Sequence, residues 1–333
     1  MDRSLDNIAD ALKKSERIAI FPHVNPDGDA VGTATALCVA LRMMGKSADV
    51  IVVDEIPLNL RFMTKDYSGM SLTVLDENYN ENPDISLMVD CSSDDRIGDA
   101  IGAFKRGKVR VCIDHHLTPG EKYDMSYIDS DEAATAQIGF KLIKCLGIEL
   151  NEEIAKRIYA GIVTDTGGFK YPNTQKKTHL IASELFDTGF DHAGVCIELF
   201  ENSRLEKLMI EKDIYNTLNM LCDDKVAICG VTQDMLMEFG AEMSETDDIV
   251  GRLKSIDSVE VSCLMKEEGL REIKVSLRSK SYVDVSEIAK HFGGGGHKRA
   301  AGFTMYTSMD SAYRELTTYL EEVLGAAWML QPC

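Results

Sequence analysis

IAIFPHVNPDGDAVG, residues 18–32, sets the fold. An apolar β-rich run passes straight into a loop carrying His23, Asp27 and Asp29, and a helical pattern follows over positions 30–44. The same order recurs. VIVV at 50–53, ISLMV at 85–89 and VRVCI at 109–113 are further β-rich runs, separated by longer amphipathic stretches. Strands alternating with helices imply an α/β fold with a mostly parallel sheet flanked by helices. Such sheets collect ligands outside the carboxyl ends of their strands.

The chemistry gathers at that edge. ISLMV ends in Asp90, VRVCI runs into Asp114-His115-His116, and the isoleucines at 154, 158 and 162 mark one face of a helix that should end near Gly167 and Gly168, leaving Asp165 at its C-terminal end. An aspartate after a strand is ordinarily a cap or a turn residue. Independent caps, however, would not need the histidines, nor would four segments all supply acids to one sheet edge. Hard divalent cations favour carboxylate oxygens, and neutral imidazole suits first-row metals such as manganese. Two cations sharing a ligand generate a metal-bound hydroxide as nucleophile.

The rest of the chain limits the alternatives. Its 333 residues exceed the size of one ordinary core, and 44% hydrophobic with 27% charged residues is a globular composition. Nine cysteines, with no pair spaced as CxxC, fit a reducing compartment better than a disulfide framework. No apolar stretch approaches the length of a membrane span or of a signal-peptide core, so the chain reads as soluble and cytoplasmic, without a membrane partner. A net charge of -19 argues against a surface for long duplex nucleic acid, though not against a small phosphate ligand held by cations and backbone amides.

A charged helical region over 187–222 reads as a connector between a first domain at 1–186 and a second at 223–333. Its exposure is compatible with a homodimer. The second domain is smaller and β-rich: VAICGVT, VEVSCLM and REIKVSLRS, with Gly269 expected in the turn between the last two, then a closing helix over about 308–324. HFGGGGHKRAAGF at 291–303 places four glycines before His297, Lys298 and Arg299, a run that exposes amides to an anion.

HVNPDGDAVG, MVD, DHH and TDTGG match, in order and spacing, the four motifs of the DHH phosphoesterases, which the chain resembles over its whole N-terminal domain. GGGH followed by KRAAGF resembles the glycine loop of the DHH-associated DHHA1 domain. The resemblance implies two divalent cations, manganese first, with magnesium or cobalt as alternatives. His23, Asp27 and Asp90 would hold one; Asp29, Asp90, His115 and Asp165 would hold the other. A bridging hydroxide would attack phosphorus in line. His116 would face the substrate phosphate, with Asp114 and Asn25 orienting, so His116, Asp90 and Asp114 form the expected catalytic group. Arg278, Ser279, Gly294, Gly295, Gly296 and His297 would hold the nucleotide. Among family members, the chain resembles the stand-alone two-domain enzymes that trim oligoribonucleotides of a few residues and remove the 3′-phosphate of adenosine 3′,5′-bisphosphate. The alternatives are a cyclic-dinucleotide phosphodiesterase, a single-strand exonuclease, a pyrophosphatase, or an inactive nucleotide-binding module.

Overall fold

The computed structural model describes residues 4–64, 72–74, 79–116 and 123–325. It comprises two compact units, divided between Asn202 and Ser203.

In the first unit six strands form one parallel sheet: β1 (Arg17–Phe21), β2 (Ser47–Val52), β3 (Leu72–Val74), β4 (Ile85–Val89), β5 (Val109–Asp114) and β6 (Met125–Ile128), in the order β3-β2-β1-β4-β5-β6. The chain runs outward from β1 in one direction and from β4 in the other, so the switch point lies between them. The helices are α1 (Leu5–Lys14), α2 (Gly28–Met43), the short α3 (Ile101–Phe104), α4 (Thr135–Leu146), α5 (Glu152–Asp165), α6 (Lys176–Phe186) and α7 (His192–Phe200). Strands β3 and β6 were not anticipated. β6, MSYI, is only half-buried and has no continuous apolar run to announce it.

Helix α2 is the spine of this unit. Every residue from Gly28 to Leu41 is buried, which suits its small and apolar sequence GDAVGTATALCVAL. It packs closely on α5, where a side chain at Gly32 would place its Cβ 2.5 Å from the carbonyl oxygen of Arg157, and one at Gly161 would come 3.3 Å from the Asp29 Cα. Glycine is what lets these backbones meet. The seam also fixes the start of α2, where Asp29 lies, against the end of α5, where Asp165 lies.

The second unit has the mixed sheet β11-β12-β10-β9-β8-β7, built from β7 (Asn219–Leu221), β8 (Val226–Val231), β9 (Val261–Gly269), β10 (Glu272–Ser279), β11 (Gly295–His297) and β12 (Ala300–Met305). Only β8 and β9 pair in parallel. Its helices are α8 (Leu205–Asn216), α9 (Gln233–Phe239), α10 (Ile249–Lys254), α11 (Val285–His291) and α12 (Met309–Leu320). One apolar cluster joins Val275, Leu277, Ile288 and Leu316; another joins Ile210, Ile249, Leu253 and Leu264.

Three expectations are corrected here. The region 187–222 divides rather than standing apart: Val195 and Leu199 of α7 enter the first core, whereas Ile210 and Ile214 of α8 enter the second unit. Gly269 closes β9, paired with Glu272, and the turn falls on Leu270 and Arg271, the latter at φ 61°. The four glycines do not all present free amides to an anion. Gly293 and Gly294 donate their amides to Lys290 and Ala289 carbonyls at the end of α11, and Gly295 begins a strand paired with β12.

Replacing Gly32 by Ala should cost about 1–3 kcal/mol of stability by forcing α2 and α5 apart. Denaturant unfolding reads this directly; an unchanged midpoint would show that the seam separates without penalty.

Candidate metal centre

Each donor reaches the sheet edge by its own local device. His23 follows β1, and its Nδ1 lies 2.8 Å from the Val24 carbonyl oxygen, which can only accept; Nδ1 therefore donates there and Nε2 is the nitrogen turned toward the acids. Asp27 caps α2, accepting from the amides of Asp29 and Ala30, each at 3.0 Å. Asp90 leaves β4 at φ 61°, a left-handed conformation that costs a non-glycine residue about 1–3 kcal/mol and turns the chain out of the strand. Asp165 is the last residue of α5.

The donors converge. His23 Nε2 lies 3.8 Å from Asp27 Oδ1 and 3.5 Å from Asp90 Oδ2. His115 Nε2 lies 3.3 Å from Asp165 Oδ2, 3.7 Å from Asp90 Oδ1 and 4.0 Å from Asp29 Oδ2. His23, Asp27 and Asp90 thus form one group of donor atoms mutually within 4.8 Å, and Asp29, His115 and Asp165 form another. Asp90 stands 2% exposed, with one oxygen toward each histidine.

The electrostatics are those of a site built for a cation. Burial, reinforced by the charges of Asp90 and Asp27, raises Asp165 to about 7. Burial and the neighbouring charges of Asp90 and Asp165 also raise Asp29 well above the carboxylate range. At His23 burial works against the charged ring, but the acceptors Asp27 and Asp90 outweigh it and raise the group to about 10. The fold therefore takes up protons where positive charge is wanted. His115 Nε2 is buried and, among the described residues, has no hydrogen-bond partner. An orphaned lone pair facing three carboxylates fits a divalent ion with mixed oxygen and imidazole ligands.

His116 differs from His115 in being half-exposed. Its Nδ1 lies 2.8 Å from Asp114 Oδ1, which also accepts the His116 amide at 3.1 Å. That hydrogen bond outweighs burial, which disfavours the charged ring, and raises the His116 pKa. Asp114 is fully buried at the end of β5. Asn25 is exposed at φ 50°, its amide donating to Asp54 Oδ2 at 2.6 Å.

Sequence reasoning missed Thr135. Its hydroxyl donates to Asp90 Oδ1 at 2.8 Å, and its amide and that of Ala136 donate to the two oxygens of Asp29 at 2.6 and 2.8 Å. Asp29 therefore caps α4, whose own N-cap, Ala134, has no side-chain oxygen. The legible signal was an uncapped helix start in EAATAQ.

The nucleotide-holding residues expected in the second unit are described within that unit. Arg278 and Ser279 alternate on β10, whose Ile273, Val275 and Leu277 point inward. Ser279 shares that inward face, and its hydroxyl donates to the Val283 carbonyl at 2.7 Å; it fastens the turn after β10 instead of facing solvent. Arg278 donates through Nη1 to the Leu277 carbonyl at 3.0 Å. Gly295, Gly296 and His297 form the exposed edge strand β11, while the Gly294 amide is used by Ala289.

The sequence pattern of the DHH family, N-terminal domain, matches residues 17–162, and that of the DHHA1 domain matches residues 223–326. The bifunctional oligoribonuclease and PAP phosphatase NrnA of Thermus thermophilus is 33% identical, over 97% of this chain and 95% of that protein. The Bacillus subtilis protein of the same name is 31% identical over 90% and 93%. Among solved structures, an exopolyphosphatase-related protein from Bacteroides fragilis superposes with a TM-score of 0.85 at 27% identity, over 96% and 97% of the two chains.

A pH dependence follows. The unfolded chain releases the Asp165 proton near 3.8 and the His23 proton near 6.5, whereas the fold keeps them to about 7 and about 10. The folded state binds more protons through both windows, so metal-free protein should lose stability as pH rises from 5 to 9. A divalent cation should flatten that slope. Melting temperatures with and without manganese at pH 5, 7 and 9 check this; a metal-free protein that becomes more stable with pH would contradict the electrostatics.

Proposed function

The chain belongs to the DHH family of phosphoesterases, and on that footing we propose that it hydrolyses short oligoribonucleotides and removes the 3′-phosphate of adenosine 3′,5′-bisphosphate. The observation that carries a metal-dependent mechanism is His115 Nε2, buried, unpartnered among the described residues and faced by Asp29, Asp90 and Asp165. The substrate class is supported by relatives, alike over nearly their whole length, whose names give those two activities.

In this reading His23, Asp27 and Asp90 hold one divalent cation, and Asp29, Asp90, His115 and Asp165 hold a second, manganese being the first candidate. Cations bound there would acidify a water molecule and offset negative charge on the phosphoryl oxygens. The chain's own residues supply the remainder. Asp114 accepts from Nδ1 of His116 and favours the charged ring, which turns Nε2 to donating a proton to the departing ribose oxygen. Thr135 keeps the shared carboxylate of Asp90 aligned. Asn25, beside the loop donors, orients the phosphate. In the second unit Arg278 and His297, with the exposed backbone at Gly295 and Gly296, are the groups suited to binding a nucleotide.

A manganese-dependent assay tests the reading with adenosine 3′,5′-bisphosphate, a dinucleotide, a five-residue RNA, a long single strand and pyrophosphate. Turnover should favour the first three; preference for either of the last two would overturn the substrate assignment. Replacing His116 by Ala should lower kcat by ~10²–10⁴-fold while manganese stoichiometry stays the same. Loss of metal instead would make His116 a ligand. Arg278→Ala should impair short-nucleotide hydrolysis more than that of an artificial phosphodiester, and equal losses on both would remove Arg278 from recognition.

A further inference from the structure

One buried charge close to the metal donors touches none of them. Glu132, in the loop between β6 and α4, is 3% exposed. Its Oε1 accepts from Lys141 of α4 and, at 2.9 Å, from Lys177 of α6; its Oε2 accepts from Gln137 Nε2 at 2.7 Å. The same loop is stitched from other sides. Gln137 Oε1 accepts the Ala133 amide at 3.0 Å, Asn173 Nδ2 donates to the carbonyls of Ala133 and Asp165 at 3.0 and 3.1 Å, and Gln175 Nε2 donates to that of Asp131 at 3.1 Å. Burying a carboxylate and tying it to two half-buried lysines is an expensive way to join a loop to two helices, since apolar packing of equal volume would hold them as well or better. The arrangement has a use if the loop must lie in one place.

What the loop presents gives that use. The backbone carbonyl of Glu132 lies 3.2 Å from His115 Nδ1. A carbonyl only accepts, so this contact puts the proton on Nδ1 and turns the Nε2 lone pair toward Asp29, Asp90 and Asp165. Three residues further along, Thr135 donates to Asp90 and Asp29. His23, by contrast, takes its tautomer from the Val24 carbonyl, in a different loop.

We infer that Glu132 is a positioning residue: its buried carboxylate, paired with Lys141 and Lys177, fixes the carbonyl that sets the His115 tautomer, and so selectively tunes the cation site to which His115 belongs. The inference rests on the reading of His115 as a metal ligand. It assigns Glu132 no contact with substrate or cation.

The test is calorimetric titration of manganese alone into metal-free protein, wild type against Glu132→Ala, with thermal unfolding of both. The wild type should show two binding events. In the variant one should weaken by ~10–100-fold and the other keep its affinity. Two unchanged events, or two that weaken together, would overturn the inference and leave Glu132 as structural glue. Should Glu132→Ala fail to fold, Lys177→Ala, which leaves Glu132 paired with Lys141, is read by the same criterion. A wild-type protein that takes up no manganese would contradict the metal reading itself, a result distinct from any difference between variants.

Discussion

Asp29, Asp90 and Asp165 share a buried space in which their charges repel one another, and the first unit is organised around making that tolerable. Asp29, fully buried, is held by two amides at the start of α4, where the helix dipole favours an anion. Asp90 accepts a hydroxyl from Thr135 of the same helix turn. Both histidines are oriented by backbone carbonyls at Nδ1 so that their Nε2 atoms face the acids. What is still unbalanced appears as raised proton affinities at Asp29, Asp165 and His23. Binding cations at such a place converts stored repulsion into affinity.

That arrangement depends on parallel topology. β1, β4 and β5 are adjacent in the sheet and end at the same edge, so three loops separated by scores of residues deliver their donors together. The remaining donor, Asp165, comes from a helix end, and it is the close α2–α5 seam at Gly32 and Gly161 that brings it beside Asp29. Small residues in the core and acidic residues at the edge therefore serve one purpose.

Much of this was legible in the sequence because strands buried on both faces are continuous apolar runs, and each relevant run here stops at an acid or histidine. The end of α5 at Asp165 followed from isoleucine spacing and the glycines beyond it. Contacts across long separations were not legible: Thr135 meets Asp29 across 106 residues, and nothing local marks Glu132 as buried. Ser279 is instructive in another way. Alternation along β10 already put it on the face of Val275 and Leu277, and a motif resemblance alone had assigned it to the ligand. The glycine run likewise read as one that exposes its amides to an anion, because composition does not reveal that two of those amides close a helix and that a strand follows.

The central claim is that Asp90 is shared by two cations. Anomalous X-ray scattering from crystals soaked with manganese tests it most directly. Two peaks ~3.5–4 Å apart, with an Asp90 oxygen against each, are predicted. A single peak, or two peaks of which only one touches Asp90, would contradict the account.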